Sequence, residues 1–173
     1  MKIGFCGTMS VGKTTLVNEL AKLPEFKDYI SRTERSKHLM NLGIPLNMDS
    51  TLKGQLIFAS ERASELLCDK ILTDRTVIDV MAFSSLSKSM IASESFYLNS
   101  TLSHLIDDYD YLFYVSPAGV KIEDNGVRET DTKYRDEINK KILDILDLKN
   151  VKYITIQGNT EERIKLVKQT IFS

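Results

Sequence analysis

Near the N-terminus, Gly7-Thr8-Met9-Ser10-Val11-Gly12-Lys13-Thr14-Thr15 carries the densest chemical signal in the chain. It satisfies G-x-x-x-x-G-K-[ST], a loop whose backbone N–H groups cradle phosphates. Gly7 and Gly12 allow backbone angles that a side chain would forbid. Ser10, Val11, Gly12, Lys13, Thr14 and Thr15 would form the cradle. Lys13 is expected to reach the β- and γ-phosphates, and the Thr14 hydroxyl to ligate Mg²⁺.

Chemistry on a bound phosphate needs carboxylates and further cations. Asp74, at the end of the short run Lys70 to Arg75, is the acidic residue expected beside the metal. It would hold a metal-bound water or take a proton from an acceptor hydroxyl. Arg75 would pair with a phosphate, or brace Asp74 or Glu34. Asp79 either touches substrate or caps the following helix. Glu34 and Arg35 sit in a charged cluster just past a short strand, where open α/β sheets place ligands. Arg128 and Arg135 are candidate phosphate clamps, since a guanidinium matches phosphate oxygens bidentately. Gly158 and Asn159, after the last strand, are candidates for the nucleotide base or simply a good turn. Gln55 and Glu61, on a helix, either face a substrate or are solvated.

The elements that must position these groups follow from periodicity. Lys2 to Cys6 reads as a buried parallel strand entering the glycine loop, and Leu16, Leu20 and Leu23 share one helical face after it. Tyr29-Ile30-Ser31 is a short second strand. Thr51 to Asp69 predicts one helix with an apolar stripe of Leu52, Leu56, Ala59, Ala63, Leu66 and Leu67. A third strand ends at Asp74, and a helix over Thr76 to Phe83 continues to Met90. Ile91 to Asn99 is polar and serine-rich and reads as irregular. Thr101 to Asp107 forms a short helix, and Tyr111 to Val115 a buried strand. The charged stretch 119–135 is expected to act as a lid. Asp136 to Leu148 is an amphipathic helix with Ile138, Ile142, Ile145 and Leu146 inward. Val151 to Gln157 alternates as a last strand, and either Thr160 with Arg163 or Asn159 with Glu162 caps the closing helix.

The bulk properties bound the alternatives. A chain of 173 residues with 42% hydrophobic and 27% charged residues fits one domain with a sizeable core. A net charge of −1 disfavours broad nucleic-acid binding without excluding a local basic site. No apolar run approaches a membrane span, and the chain opens directly into the first strand, so no signal peptide is expected. Two histidines and two cysteines are too few for a zinc cluster. Cys6 and Cys68 read as buried free thiols in a reducing compartment, with the cytoplasm as the expected location.

These residues together resemble the small P-loop kinases of the nucleoside and nucleotide type, and above all the family that includes the nicotinamide riboside kinase domain of NadR-like proteins. Asp74-Arg75-x-x-x-Asp79-x-x-Ala82-Phe83 is similar to that family's D-R-x-x-x-D-x-x-A-Y segment. Thr33-Glu34-x-x-Lys37 is similar to its acceptor segment, Asp124 to Arg128 to its lid, and Gly158-x-x-x-Glu162-Arg163 to its closing loop. The resemblance implies a single α/β domain: a parallel sheet of about five strands, order 2-3-1-4-5, helices on both faces and a small lid. It also implies an ATP- and Mg²⁺-dependent kinase that phosphorylates a small nucleoside or nucleotide, with Lys13, Asp74, Glu34 and Arg128 as catalytic groups. GTP as donor and a homodimer stay open. The rival readings are a polynucleotide 5′-hydroxyl or modified-base DNA kinase, and an ATP-binding switch with a protein partner.

Overall fold

In a computed structural model, which describes residues 1–33, 35–120 and 132–172, five parallel strands form one sheet. They are β1 (Lys2–Cys6), β2 (Ile30–Arg32), β3 (Ile71–Asp74), β4 (Tyr111–Val115) and β5 (Ile154–Ile156), in the order β2-β3-β1-β4-β5. The expected order is the observed one. The centre is apolar on both faces, as parallel strands covered by helices require. Ile3, Phe5, Cys6, Ile71, Leu72, Phe113 and Val115 are all fully buried. The register places Phe5 of β1 beside Asp74 of β3 and Phe113 of β4. The carboxyl ends of the central strands therefore open at one edge, where the phosphate loop leaves β1.

Two hydrophobic clusters flank the sheet. On one face, α1 (Lys13–Ala21) and α7 (Thr160–Phe172) bury Leu16, Val17, Leu20 and Val167 with Phe5 and Phe113. On the other lie α3 (Leu52–Glu65), α4 (Val77–Ser85), α5 (Ala92–Ser103) and α6 (Thr132–Leu148), whose Phe58, Ile78, Leu98, Leu102, Ile138 and Ile142 form the second cluster. A short α2 (Ser36–Asn41) follows β2 and contributes Leu39.

Several elements differ from the sequence expectation. The serine-rich stretch after Ile91 is helical: α5 starts with the Ile91 N–H donating to the Glu94 carboxylate (3.1 Å) and packs Leu98 and Leu102 inward. Tertiary burial of two leucines outweighs weak local propensity. The helix after Asp74 stops at Ser85 rather than Met90. α3 ends at Glu65, so Leu67 falls beyond it and is 85% exposed, and Leu56 faces outward at 48%. α6 begins four residues earlier than expected, and the last strand is only three residues long. Cys6 is fully buried, but Cys68 is only partly covered. No helix among the described residues is long and apolar enough to cross a membrane. Glu34, Arg128 and residues 121–131 of the expected lid lie outside the described residues.

Candidate active site

The phosphate loop leaves β1 in a sequence of conformations that its residues permit unequally. Gly12 sits at φ 84° and Gly7 at φ 151°, where a Cβ would lie 2.7 Å from the Val115 carbonyl oxygen. Any side chain at Gly7 would drive the loop off β4. Ser10 also adopts a positive φ of 58°. The loop ends in α1, whose first residue is Lys13, so the helix N-terminus adds its partial positive charge to the cradle.

Lys13 is only 6% exposed. Its Nζ donates to the Gly7 and Thr8 carbonyls (2.6 and 2.8 Å) and lies 4.0 Å from Asp79. The ammonium is thus held across the mouth of the loop. Thr14, half-buried, donates its hydroxyl to Asp74 Oδ2. Asp74 is 1% exposed at the end of β3, alongside the loop. The sequence separates these two residues by 60 positions, and β1–β3 pairing brings them into contact. A hydroxyl and a carboxylate at this spacing suit a hard cation such as Mg²⁺, which keeps several waters and shares its shell with phosphate oxygens. Among the described residues no cluster of three or more protein ligands exists, so a metal here would depend on the phosphates for the rest of its shell.

Asp79 shows the capping role of the two expected for it. It is fully buried, and its Oδ2 accepts from the Thr76 N–H (2.8 Å) and hydroxyl (3.0 Å), while Thr76 Oγ1 accepts from the Ile78 N–H. Its Oδ1 accepts from the Gly7 N–H (3.2 Å). This carboxylate therefore caps α4 and holds the first amide of the loop from beneath.

Arg75 takes φ 81°, a conformation that costs a non-glycine residue about 1–3 kcal/mol. The Thr73 hydroxyl bonds to the Arg75 carbonyl (3.0 Å) and to Glu65 (2.6 Å), and Glu65 pairs with the buried Arg62 (2.6 Å). The guanidinium of Arg75 lies over the Phe83 ring, 4.9 Å from its centroid. Arg75 lines two clefts at once. One is formed with Met9 to Thr14 and Asp74. The other, narrow in this structure, is formed by Ser36, Leu46, Asn47, Gln55, Phe58, Val80 and Phe83. In this second cleft Gln55 is 3% exposed; its amide donates to Ser50 (2.9 Å), and its Oε1 is buried with no hydrogen-bond partner among the described residues.

Other expected site residues are placed elsewhere or less directly. Arg35 is 56% exposed at its side chain and pairs with Glu61 (3.2 Å), so neither reaches the cleft beside Asp74. Val11 is buried, and Thr15, just inside α1, is exposed. Gly158, at φ 87°, is tied to the loop indirectly: Arg163 donates to its carbonyl (2.8 Å) and to that of Val11 (2.6 Å). Arg135 reaches the loop through the Met9 carbonyl (3.3 Å). The bond from Arg163 spans 152 residues and had no local signal in the sequence. Of the two proposed caps for α7, Asn159 with Glu162 is the one formed, by reciprocal bonds of 2.8 and 3.0 Å.

A family model described as an AAA domain matches residues 2–163. The chain belongs to that family. No curated protein matches it. Among solved structures, this AAA-domain chain is similar to a deoxyadenosine kinase from M. mycoides with dCMP and dCDP bound, with a TM-score of 0.69 at 15% identity, covering 99% of this chain and 98% of that one. It is also similar to a NadR protein in complex with NR (TM-score 0.73, 16% identity), covering 96% of this chain but only 50% of NadR's. A third is YorR from Bacillus subtilis in complex with phosphorylated GDP (TM-score 0.60, 15% identity, 99% and 95% covered). At these identities the likeness establishes a shared fold.

Proposed function

We propose that this protein is an ATP-dependent phosphotransferase that moves the γ-phosphoryl group to a nucleoside or nucleotide. The observation that carries the reading is the pair of adjoining clefts with Arg75 common to both walls and Asp74 beside it in the wall of the phosphate-loop cleft. One cleft has the phosphate loop. The other has the aromatic rings of Phe58 and Phe83 and a buried amide oxygen, which would accept from an N–H on a planar heterocycle. Two of the solved structures of the same fold hold nucleotides, dCMP and dCDP in the deoxyadenosine kinase and phosphorylated GDP in YorR, which agrees with this assignment.

Each group has a role set by its place. The loop N–H groups and the α1 N-terminus would bind the donor phosphates, and Lys13 would shift from the Gly7 and Thr8 carbonyls to a phosphate oxygen. Mg²⁺, held by Thr14 and Asp74, would neutralise charge on the β- and γ-phosphates. Asp74, next in the chain to Arg75, would orient an acceptor hydroxyl and take its proton. Arg75 would offset charge on the group in transit. Positioning and charge neutralisation supply most of the rate in such transfers. The roles of Glu34 at the acceptor and Arg128 at the phosphates stay part of the proposal on sequence grounds.

The test is direct. Incubate the protein with γ-labelled ATP, Mg²⁺ and a panel of nucleosides, mononucleotides and short oligonucleotides. Label on a nucleoside or mononucleotide is expected. Label only on oligonucleotides would move the assignment to a polynucleotide kinase. Acceptor-independent release of phosphate alone would make the protein an ATPase switch.

A further inference from the structure

A phosphate cradle imposes a demand on the far side of its own peptides. Across a planar trans peptide the C=O and the next N–H point in opposite directions. If an N–H faces the ligand, the preceding carbonyl faces the protein, and a buried carbonyl needs a donor. Here the donors are cations. Lys13 takes the Gly7 and Thr8 carbonyls. Arg135 takes Met9 through Nε (3.3 Å), and Arg163 takes Val11 through Nη1 (2.6 Å).

The two arginines approach from opposite faces of the sheet. Arg135 is on α6, whose Ile138 and Ile142 belong to one cluster, and Arg163 is on α7, whose Val167 belongs to the other. Each is anchored by a second carbonyl: Arg135 Nη1 donates to Val120 (2.9 Å) and Arg163 Nε to Gly158 (2.8 Å). The Arg135 backbone carbonyl in turn accepts the Thr8 hydroxyl (2.9 Å). They are 8% and 5% exposed, and neither forms an ion pair with a carboxylate among the described residues. Burial lowers the pKa of both guanidinium groups, yet arginine stays charged. Burying a cation against carbonyl dipoles alone is costly, and α6 and α7 have apolar faces that would dock without it.

We propose that Arg135 and Arg163 are positioning residues that hold the Met9 and Val11 carbonyls and thereby turn the Ser10 and Gly12 N–H groups into the phosphate cradle. The inference rests on the proposed function in one respect, that the loop binds a nucleoside triphosphate. Arg163 also fixes the loop to the turn after β5 through the Gly158 carbonyl.

The experiment measures MgATP affinity by calorimetry and melting temperature for the wild type, Arg163→Met, Arg163→Lys and Arg135→Met. Both Met variants, assayed well below their melting points, should bind MgATP about ten- to hundredfold more weakly, the scale of one charge-assisted hydrogen bond. The KM for whichever acceptor the labelling screen finds should change less than about twofold, because the second cleft is untouched. Arg163→Lys keeps the charge, but a single ammonium does not reproduce the fork on two carbonyls, so recovery should be partial at most. A folded Arg163→Met that binds MgATP as the wild type does overturns the inference. So does full recovery in Arg163→Lys, which would make the role one of charge rather than of peptide orientation. If Arg163→Met does not fold, Arg163→Lys decides alone: wild-type affinity refutes the inference and weakened affinity supports it. A wild-type protein that binds no nucleoside triphosphate removes the proposed function, and this inference with it, a result unlike any of the variant outcomes.

Discussion

Asp74 and Thr14 are the narrowest point of the proposed chemistry. Asn at position 74 preserves shape and can still accept the Thr14 hydroxyl, but loses the charge that a cation or a proton would meet. Asp74→Asn should therefore fold normally and lose about 10²- to 10⁴-fold in turnover, with little change in nucleotide affinity measured without Mg²⁺; a rate within a few-fold of wild type would reduce Asp74 to a structural partner of Thr14. The two cysteines make a second contrast at this scale. Burial, and then the nearby Asp79 carboxylate, raise the Cys6 thiol well above its ordinary pKa, whereas Cys68 is partly exposed. The thiolate is the reactive form. Native protein treated with iodoacetamide should carry the label on Cys68 by mass spectrometry, with Cys6 alkylated only after unfolding.

At the scale of elements, the N-terminus of α4 does two jobs with one carboxylate. Thr76 caps the helix, while Asp79 completes the capping box and also holds the Gly7 amide. The two residues should therefore separate by substitution. Thr76→Ala should cost about 1 kcal/mol of stability, the usual value for a lost N-cap, and leave ATP affinity near wild type. Asp79→Ala strands three buried donors, each worth about 1–3 kcal/mol, and should both destabilise more and weaken ATP binding. Urea denaturation and calorimetry give the two quantities; an Asp79→Ala protein with intact ATP affinity would mean that the Gly7 contact does not shape the loop. The same economy appears at β3, where the Arg62–Glu65–Thr73 chain supports the strained Arg75 backbone from behind.

For the whole molecule, the phosphate loop lies where both hydrophobic clusters meet the carboxyl ends of the strands. Ligand held there would be linked to α1 and α7 on one face and to α4 and α6 on the other. Binding to the native state alone adds RT ln(1 + [L]/Kd), about 2.7 kcal/mol at a hundredfold excess over Kd. For a chain of this length that is about 5–10 °C in melting temperature. MgATP should produce such a rise in a thermal melt, and Lys13→Ala should abolish most of it; an equal rise in the variant would place the nucleotide elsewhere.

Much of this was legible in the sequence because it is written in short-range spacing. The glycine loop, the strands around Phe5 and Phe113, the inward face of α6 at Ile138, Ile142, Ile145 and Leu146, and the acidic end of β3 all depend on neighbours a few residues apart. The resemblance to P-loop kinases added the strand order. What only the tertiary structure decided was direction and partnership. Gln55 and Leu56 are adjacent on α3, and packing against α4, not polarity, put the glutamine inside and the leucine out. α5 is a helix because α4 offered its leucines a surface. Asp79, Arg135 and Arg163 meet the loop across 72, 126 and 152 residues. Which carbonyl a buried cation serves depends on how the folded elements are juxtaposed, and no local pattern of residues encodes that.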